Sequence, residues 1–338
     1  MNRRTVLAII ASLAATPLAH AQQNAPSRDR LKAALDAAET LQSLETVLVS
    51  RNGDMLAERA LRGNSVTRAT NIKSASKSII SALVGIAIDK KLLKGVDQPI
   101  AEILKADLPR DADPRLATVT IGNLLSMQAG LSRMSGPNYG RWVSSGNWVR
   151  TALAAPFDND PGTGMLYSTA STHLLSAILT RVGKKSTLAL ARDWLGPLDG
   201  FSISAWERDP QGIYLGGNQM AMTPRSLLAF GELYRRGGIT PKGVRLISQA
   251  WIDQSWQTRT HSVFNGDGYG YGWFLSEMGG ERVNYGWGYG GQMLYIVPCL
   301  GLTVVMTSDD SAPSARSGYR DQLHALLAEI ILAVKAES

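Results

Sequence analysis

The sequence predicts an α+β fold in which an antiparallel sheet, flanked by helices from the two chain ends, carries an inserted and mostly helical lobe. Three observations lead there: a helix and a strand–turn–strand signal near the start, a long middle of helical segments broken by Gly and Pro, and strand-like runs beyond Tyr269 before one closing helix. With 338 residues, 44% of them apolar and 19% charged, the chain is long enough to bury one sizeable core.

The first segment reads differently from the rest. Asn2-Arg3-Arg4 is a positive start, Val6 to Leu18 a short and mainly apolar run, and Ala19-His20-Ala21 a small-x-small cleavage pattern. Residues 1–21 are therefore expected to be a signal peptide, and the protein to be periplasmic or secreted. Asn-Arg-Arg-Thr-Val-Leu also resembles a twin-arginine export signal, and an uncleaved anchor is the other reading of the same stretch. No later run reaches about 18 uninterrupted apolar residues, so no stable membrane insertion is expected.

Residues 22–338 are expected to form a single domain, with a sheet lobe over about 28–95 and 240–335 and a helical lobe over about 96–239. Leu31, Leu35, Ala38 and Leu41 recur at helical spacing. Thr46 to Ser50 and Met55 to Ala60 flank Arg51-Asn52-Gly53-Asp54, in which Asn-Gly favours a tight hairpin turn. Ser74 to Lys90 reads as a helix that opens on serines and closes on lysine. In the middle, helices are expected at 121–127, 147–154, 170–182, 187–195 and 224–236, several preceded by a Ser or Thr cap. Strands follow at 269–275, 282–285, 292–297 and 302–307, and a last helix at about 315–333.

Composition narrows the partners. The formal net charge is +7, and removal of Arg3 and Arg4 with the leader still leaves a basic protein suited to an anionic neighbourhood such as cell-envelope polymers. The positive residues are scattered rather than gathered, so nucleic acid is not expected as a partner. Cys299, the single cysteine, can form no internal disulfide and is expected to pack within an apolar hairpin. The four histidines, His20, His173, His261 and His324, show no metal-ligand spacing, so neither a metal nor another cofactor is called for.

Chemistry concentrates at Asn71-Ile72-Lys73-Ser74-Ala75-Ser76-Lys77, which holds the chain's one Ser-x-x-Lys. A spacing of three at a helix start puts Ser74 and Lys77 on the same face, and partial positive charge at a helix N-terminus favours an alkoxide or oxyanion. A serine hydroxyl is a poor nucleophile, and a lysine desolvated by burial can take its proton. The bland alternative is a capped helix with a solvated lysine. Some 90 residues on, Pro161-Gly162-Thr163-Gly164-Met165-Leu166-Tyr167-Ser168-Thr169 leads into a helix, and Tyr167 offers a phenol or phenolate as a second proton carrier, or is a core tyrosine. Tyr285-Gly286-Trp287-Gly288-Tyr289-Gly290-Gly291-Gln292 precedes an apolar strand. Glycines there let backbone approach a ligand, so that a backbone N–H joins that of Ser74 in an oxyanion hole, unless the run is merely a turn.

At these three segments, taken in order, the chain resembles the serine β-lactamases and penicillin-binding proteins, in particular the class C β-lactamase-like branch with its esterases, D-amino-acid peptidases and 6-aminohexanoate-dimer hydrolases. Gly216-Gly217-Asn218-Gln219-Met220-Ala221-Met222-Thr223-Pro224-Arg225 adds to the likeness, which spans about residues 28–335. The resemblance implies a β-lactamase-like fold, acylation of Ser74, proton exchange between Lys77 and Tyr167, and an oxyanion hole from the backbone of Ser74 and Tyr289. Thr169, Trp287 and Gly288 fall at its substrate-binding positions. Two departures matter: Thr169 replaces the carboxamide of the second motif, and no Lys or His precedes Gly288 in the third. The expected substrate is therefore a small ester or linear amide, with β-lactams or cell-wall peptides as the alternative, and a catalytically inactive binding module as the second. Tyr139, Trp142, Trp148 and Phe264 are candidates for an apolar acyl pocket.

Overall fold

The computed structural model describes residues 27–336. The expected signal peptide lies outside the described residues. The central feature is an eight-stranded antiparallel sheet built from both ends of the chain. Its strands are β1 (Leu44–Arg51) and β2 (Asp54–Ala60) from the start, and β6 (Thr260–His261), β7 (Gly268–Tyr269), β8 (Phe274–Met278), β9 (Glu281–Gly288), β10 (Gln292–Val297) and β11 (Leu302–Ser308) from the end. They lie in the order β2-β1-β11-β10-β9-β8-β7-β6. A second, three-stranded sheet of β3 (Thr70–Asn71), β4 (Ala205–Trp206) and β5 (Met220–Met222) ties the segment before Ser74 to the middle of the chain. This is the β-lactamase-like α+β arrangement the sequence predicts.

The centre of the large sheet is buried on both faces, which explains why β10 and β11 read as continuous apolar runs rather than alternating ones. Met293, Tyr295 and Val297 join one core with α1 (Ser27–Ala37) and the closing helix Tyr319–Lys335, whereas Leu294 and Ile296 join a second core with α2 (Ser76–Asp89) and the helix Pro224–Arg235. A Cβ at Gly231 would stand 2.6 Å from Leu294, so this glycine lets the helix Pro224–Arg235 lie tight on the sheet. The β1–β2 turn takes positive φ at Asn52 and Gly53, as Asn-Gly predicts.

Three expectations need correction. The single strand expected at 269–275 is two, because Gly272 adopts φ +78° between β7 and β8, where a Cβ would press to 2.9 Å from the Lys77 carbonyl oxygen. That turn seats on α2, with the Ser78 hydroxyl donating to the Gly272 carbonyl at 2.7 Å. The last helix begins at Tyr319, not near 315, since Gly318 stands at φ +76° and the chain before it forms a loop. Cys299 does not pack: it is exposed in the turn Pro298–Leu300, Sγ donating to Glu281 Oε2 at 3.0 Å, because the β10–β11 hairpin points its turn residues outward.

Candidate active site

Ser74 sits in a short 3-10 turn, Lys73–Ala75, that runs directly into α2. Lys73 is held at φ +49°, a left-handed conformation uncommon for a side chain of that kind, and its N–H donates to Asn71 Oδ1 at 3.0 Å. The turn lies against β9. A Cβ at Gly288 would stand 2.3 Å from the Ile72 carbonyl oxygen and 3.1 Å from Lys73 Cβ, so only glycine fits there. Gly288 therefore acts as a spacer between the strand and the turn that carries Ser74, and it is Trp287 and Tyr289 on either side that line the cleft.

One turn along, Lys77 is 2% exposed, with Nζ 3.0 Å from Ser74 Oγ, 2.6 Å from the Gly217 carbonyl oxygen and 3.5 Å from Thr169 Oγ1. The Tyr167 ring lies 5.1 Å from the same nitrogen. No carboxylate is among these partners, and burial alone lowers the Lys77 pKa from its ordinary range to about 7. The Tyr167 hydroxyl bonds to Ser74, and burial outweighs that bond to push its pKa up to about 12, so at neutral pH the group is a phenol. Phe264, Tyr269 and Phe274 surround its ring at centroid distances of 5.4, 6.1 and 6.2 Å. Ser74, Lys77, Tyr167 and Thr169 thus meet, although 92 residues separate Lys77 from Thr169.

Ser74 opens onto a cleft of about 480 Å³ whose walls include the aromatic rings of Tyr139, Tyr167, Phe264, Trp287 and Tyr289. Thr169 starts the helix Thr169–Gly183, and its hydroxyl lies 3.1 Å from that of Ser135. The indole of Trp287 is fixed by Ser314 Oγ at 3.1 Å, the Phe264 ring at 5.8 Å and the Arg320 guanidinium at 5.2 Å. Tyr289 is 47% exposed at the mouth. Of the four aromatics expected in an acyl pocket, Tyr139 and Phe264 line the cleft, but Trp142 and Trp148 are core residues. Their indole N–H groups donate to the carbonyls of Trp148 and Val143, each at 3.0 Å, which lets both rings be buried.

Lys73, Ser135, Asn218 and Gln219, to which the sequence reading gave no individual role, all line the cleft. Lys73 Nζ pairs with Asp310 Oδ2 at 2.7 Å. Asn218 bonds to the Tyr139 hydroxyl, and Gln219 Oε1 accepts from Asn71 Nδ2 at 2.6 Å. Lys73 was visible beside Ser74, but nothing in the sequence said which way it points. Among the described residues no three His, Cys, Asp or Glu side chains gather as a metal site, and no helix is long and apolar enough to cross a membrane.

Residues 37–329 match the family profile described as Beta-lactamase. The chain is 33% identical over 141 residues to the Dichelobacter nodosus protein named "Probable fimbrial assembly protein FimD, serogroup H1", a match covering 40% of this chain and 34% of that one. It thus spans about a third of that relative's length. To the 6-aminohexanoate-dimer hydrolase of Paenarthrobacter ureafaciens it is 26% identical over 311 residues, covering 84% of this chain and 77% of that protein. Among solved structures, EstCE1, described as a hydrolase with promiscuous acyltransferase activity, superposes with a TM-score of 0.70 at 19% identity, covering 91% of this chain and 99% of that one.

Proposed function

Because the chain belongs to the Beta-lactamase family, we propose that it is an exported serine hydrolase which cleaves a small ester or linear amide through an acyl-enzyme on Ser74. The observation that carries this reading is the Lys77 amine, 3.0 Å from Ser74 Oγ in a pocket dry enough to bring its pKa to about 7. One N–H of the amine is spent on the Gly217 carbonyl, which aims the lone pair of the uncharged form at the serine hydroxyl.

In the first step Lys77 takes the Ser74 proton while Oγ attacks the carbonyl carbon, and the backbone N–H groups of Ser74 and Tyr289 receive the oxyanion. Collapse of that intermediate expels the alcohol or amine, which takes its proton from the Tyr167 phenol; the Lys77 ammonium returns one to Tyr167. Water then repeats the sequence on the acyl-enzyme and frees the acid. Thr169 and Trp287 would contact the substrate, and Gly288 would hold β9 at the distance the oxyanion hole requires. The name of the Paenarthrobacter relative agrees with cleavage of a linear amide, and the description of EstCE1 with hydrolysis and acyl transfer.

A hydroxyl rather than a carboxamide at Thr169, and Trp287-Gly288 without a neighbouring lysine or histidine, favour esters and linear amides over β-lactams. The test is hydrolysis of a p-nitrophenyl ester against pH, alongside a cephalosporin. Lys77 must be uncharged to act, so kcat/KM is expected to rise as pH rises through about 7 and to level above it, with the cephalosporin turned over far more slowly. A rate flat across that range contradicts the role of Lys77, and preferred cephalosporin cleavage reverses the substrate assignment.

A further inference from the structure

Lys77 is aimed by a carbonyl that belongs to a pair of glycines, Gly216-Gly217, the most freely rotating kind of backbone. Its orientation has to be imposed from outside. Gly217 stands at φ +78° with room for no side chain, since a Cβ would be 2.7 Å from Lys77 Cγ. Gly216 is wedged as closely, its Cβ position 2.1 Å from the Thr172 carbonyl oxygen. From the core, the His173 side chain bonds this loop directly: the Gly216 N–H donates to His173 Nδ1 at 3.4 Å.

The protonation of that imidazole follows from its partners. An amide nitrogen only donates, so Nδ1 carries its lone pair and the ring proton sits on Nε2. Nε2 lies 3.1 Å from Asp209 Oδ2, with both side chains 0% exposed. The other carboxylate oxygen, Oδ1, accepts the N–H groups of Gln211 and Ile213, each at 2.8 Å, which fixes the carboxylate in turn. Trp142 and Trp148 each pack T-shaped against the imidazole with ring centroids 5.6 Å apart.

We propose that Asp209 and His173 are positioning residues for the reaction: Asp209 selects the Nε2–H tautomer of His173, and His173 thereby holds Gly216-Gly217 so that the Gly217 carbonyl aims Lys77 at Ser74. The proposal rests on the reading of Lys77 as the base. It predicts that a change deep in the core, touching neither cleft nor substrate, alters the acid–base behaviour of the site. The groups facing Lys77 itself are Ser74, Thr169, the Tyr167 ring and the Gly217 carbonyl, so a moved titration reports on that carbonyl and on water let in beside it.

Asp209→Asn tests it. The two backbone donors keep the amide oxygen on their side, so the NH₂ group faces Nε2, drives the ring proton to Nδ1 and sets it against the Gly216 N–H. Expected are a fall in kcat of about tenfold or more with KM little changed, and an acidic limb displaced upward from about pH 7 toward the ordinary lysine range. His173→Phe, which keeps an aromatic ring between the tryptophans and removes both bonds, is expected to do the same. A lower melting temperature with kcat and acidic limb unmoved in either variant overturns the proposal and makes the pair a strut of the fold. Should neither variant fold, the wild-type ring answers: in ¹⁵N spectra the buried histidine is expected to carry its proton on Nε2, and a proton on Nδ1 overturns the proposal. Ser74→Ala is measured beside them. Ester turnover that persists in Ser74→Ala defeats the acyl-enzyme reading itself, whereas its loss there with unaltered Asp209→Asn defeats only the positioning role.

Discussion

Lys77→Met is expected to lower kcat/KM for a p-nitrophenyl ester about a thousandfold, within the range that a positioned general base supplies. Methionine keeps the volume of the stem in its buried slot and removes the amine 3.0 Å from Ser74 Oγ. Stability is expected to move the other way. The folded state gives up the Lys77 proton near pH 7, while the unfolded lysine keeps it to its ordinary 10.5. Between those values the unfolded chain binds more protons, so wild-type stability rises with pH across that window and carries the full penalty below it. Lys77→Met is expected to abolish that slope and melt higher at pH 6, which calorimetry at pH 6 and pH 10 checks. A variant that loses activity because it unfolds would melt lower, and the two explanations separate cleanly.

Gly288→Ala is expected to cost about a hundredfold in kcat/KM, comparable to the loss of one oxyanion-hole donor. The added Cβ would stand 2.3 Å from the Ile72 carbonyl oxygen, a backbone atom at the start of the turn that carries Ser74, and 2.9 Å from Gln292 Cβ. Neither neighbour can swing aside as a long side chain would, so β9 must move away from Ser74 and take the Tyr289 N–H with it. The check is the rate of acylation in single turnover, which isolates the step in which the oxyanion forms. Unchanged acylation in a folded variant would show that the strand's spacing is not part of the chemistry.

Much of this site can be read in the sequence because its chemistry is local. Ser74 and Lys77 are one helical turn apart, and that spacing alone brings them to hydrogen-bond distance. The Asn52-Gly53 turn and the apolar runs of β10 and β11 are equally local signals. The Gly217 carbonyl is a backbone atom, so no residue type announces it. Gly216-Gly217 marks only a tight approach, and what is approached, Lys77 on one side and Thr172 on the other, comes from tertiary packing. The break at Gly272 is hidden for a similar reason: Tyr269 to Leu275 has strand composition, but the chain must turn where it meets α2. Trp142 and Trp148 look like pocket residues because large aromatics often are, yet their N–H groups find carbonyls inside and carry the rings into the core. Residues 313–315 line the cleft from a loop, because the last helix starts only after Gly318, a boundary that propensity alone misses.

The claim on which all of this depends is that Ser74 is the nucleophile. It is tested most directly by intact mass spectrometry after a brief exposure to a fluorophosphonate, run on the wild-type protein and on Ser74→Ala. A single adduct on the wild type, absent from Ser74→Ala, is the predicted result. No adduct on the wild type, or the same adduct on both, contradicts the account and would make the aromatic cleft a binding site without acyl chemistry.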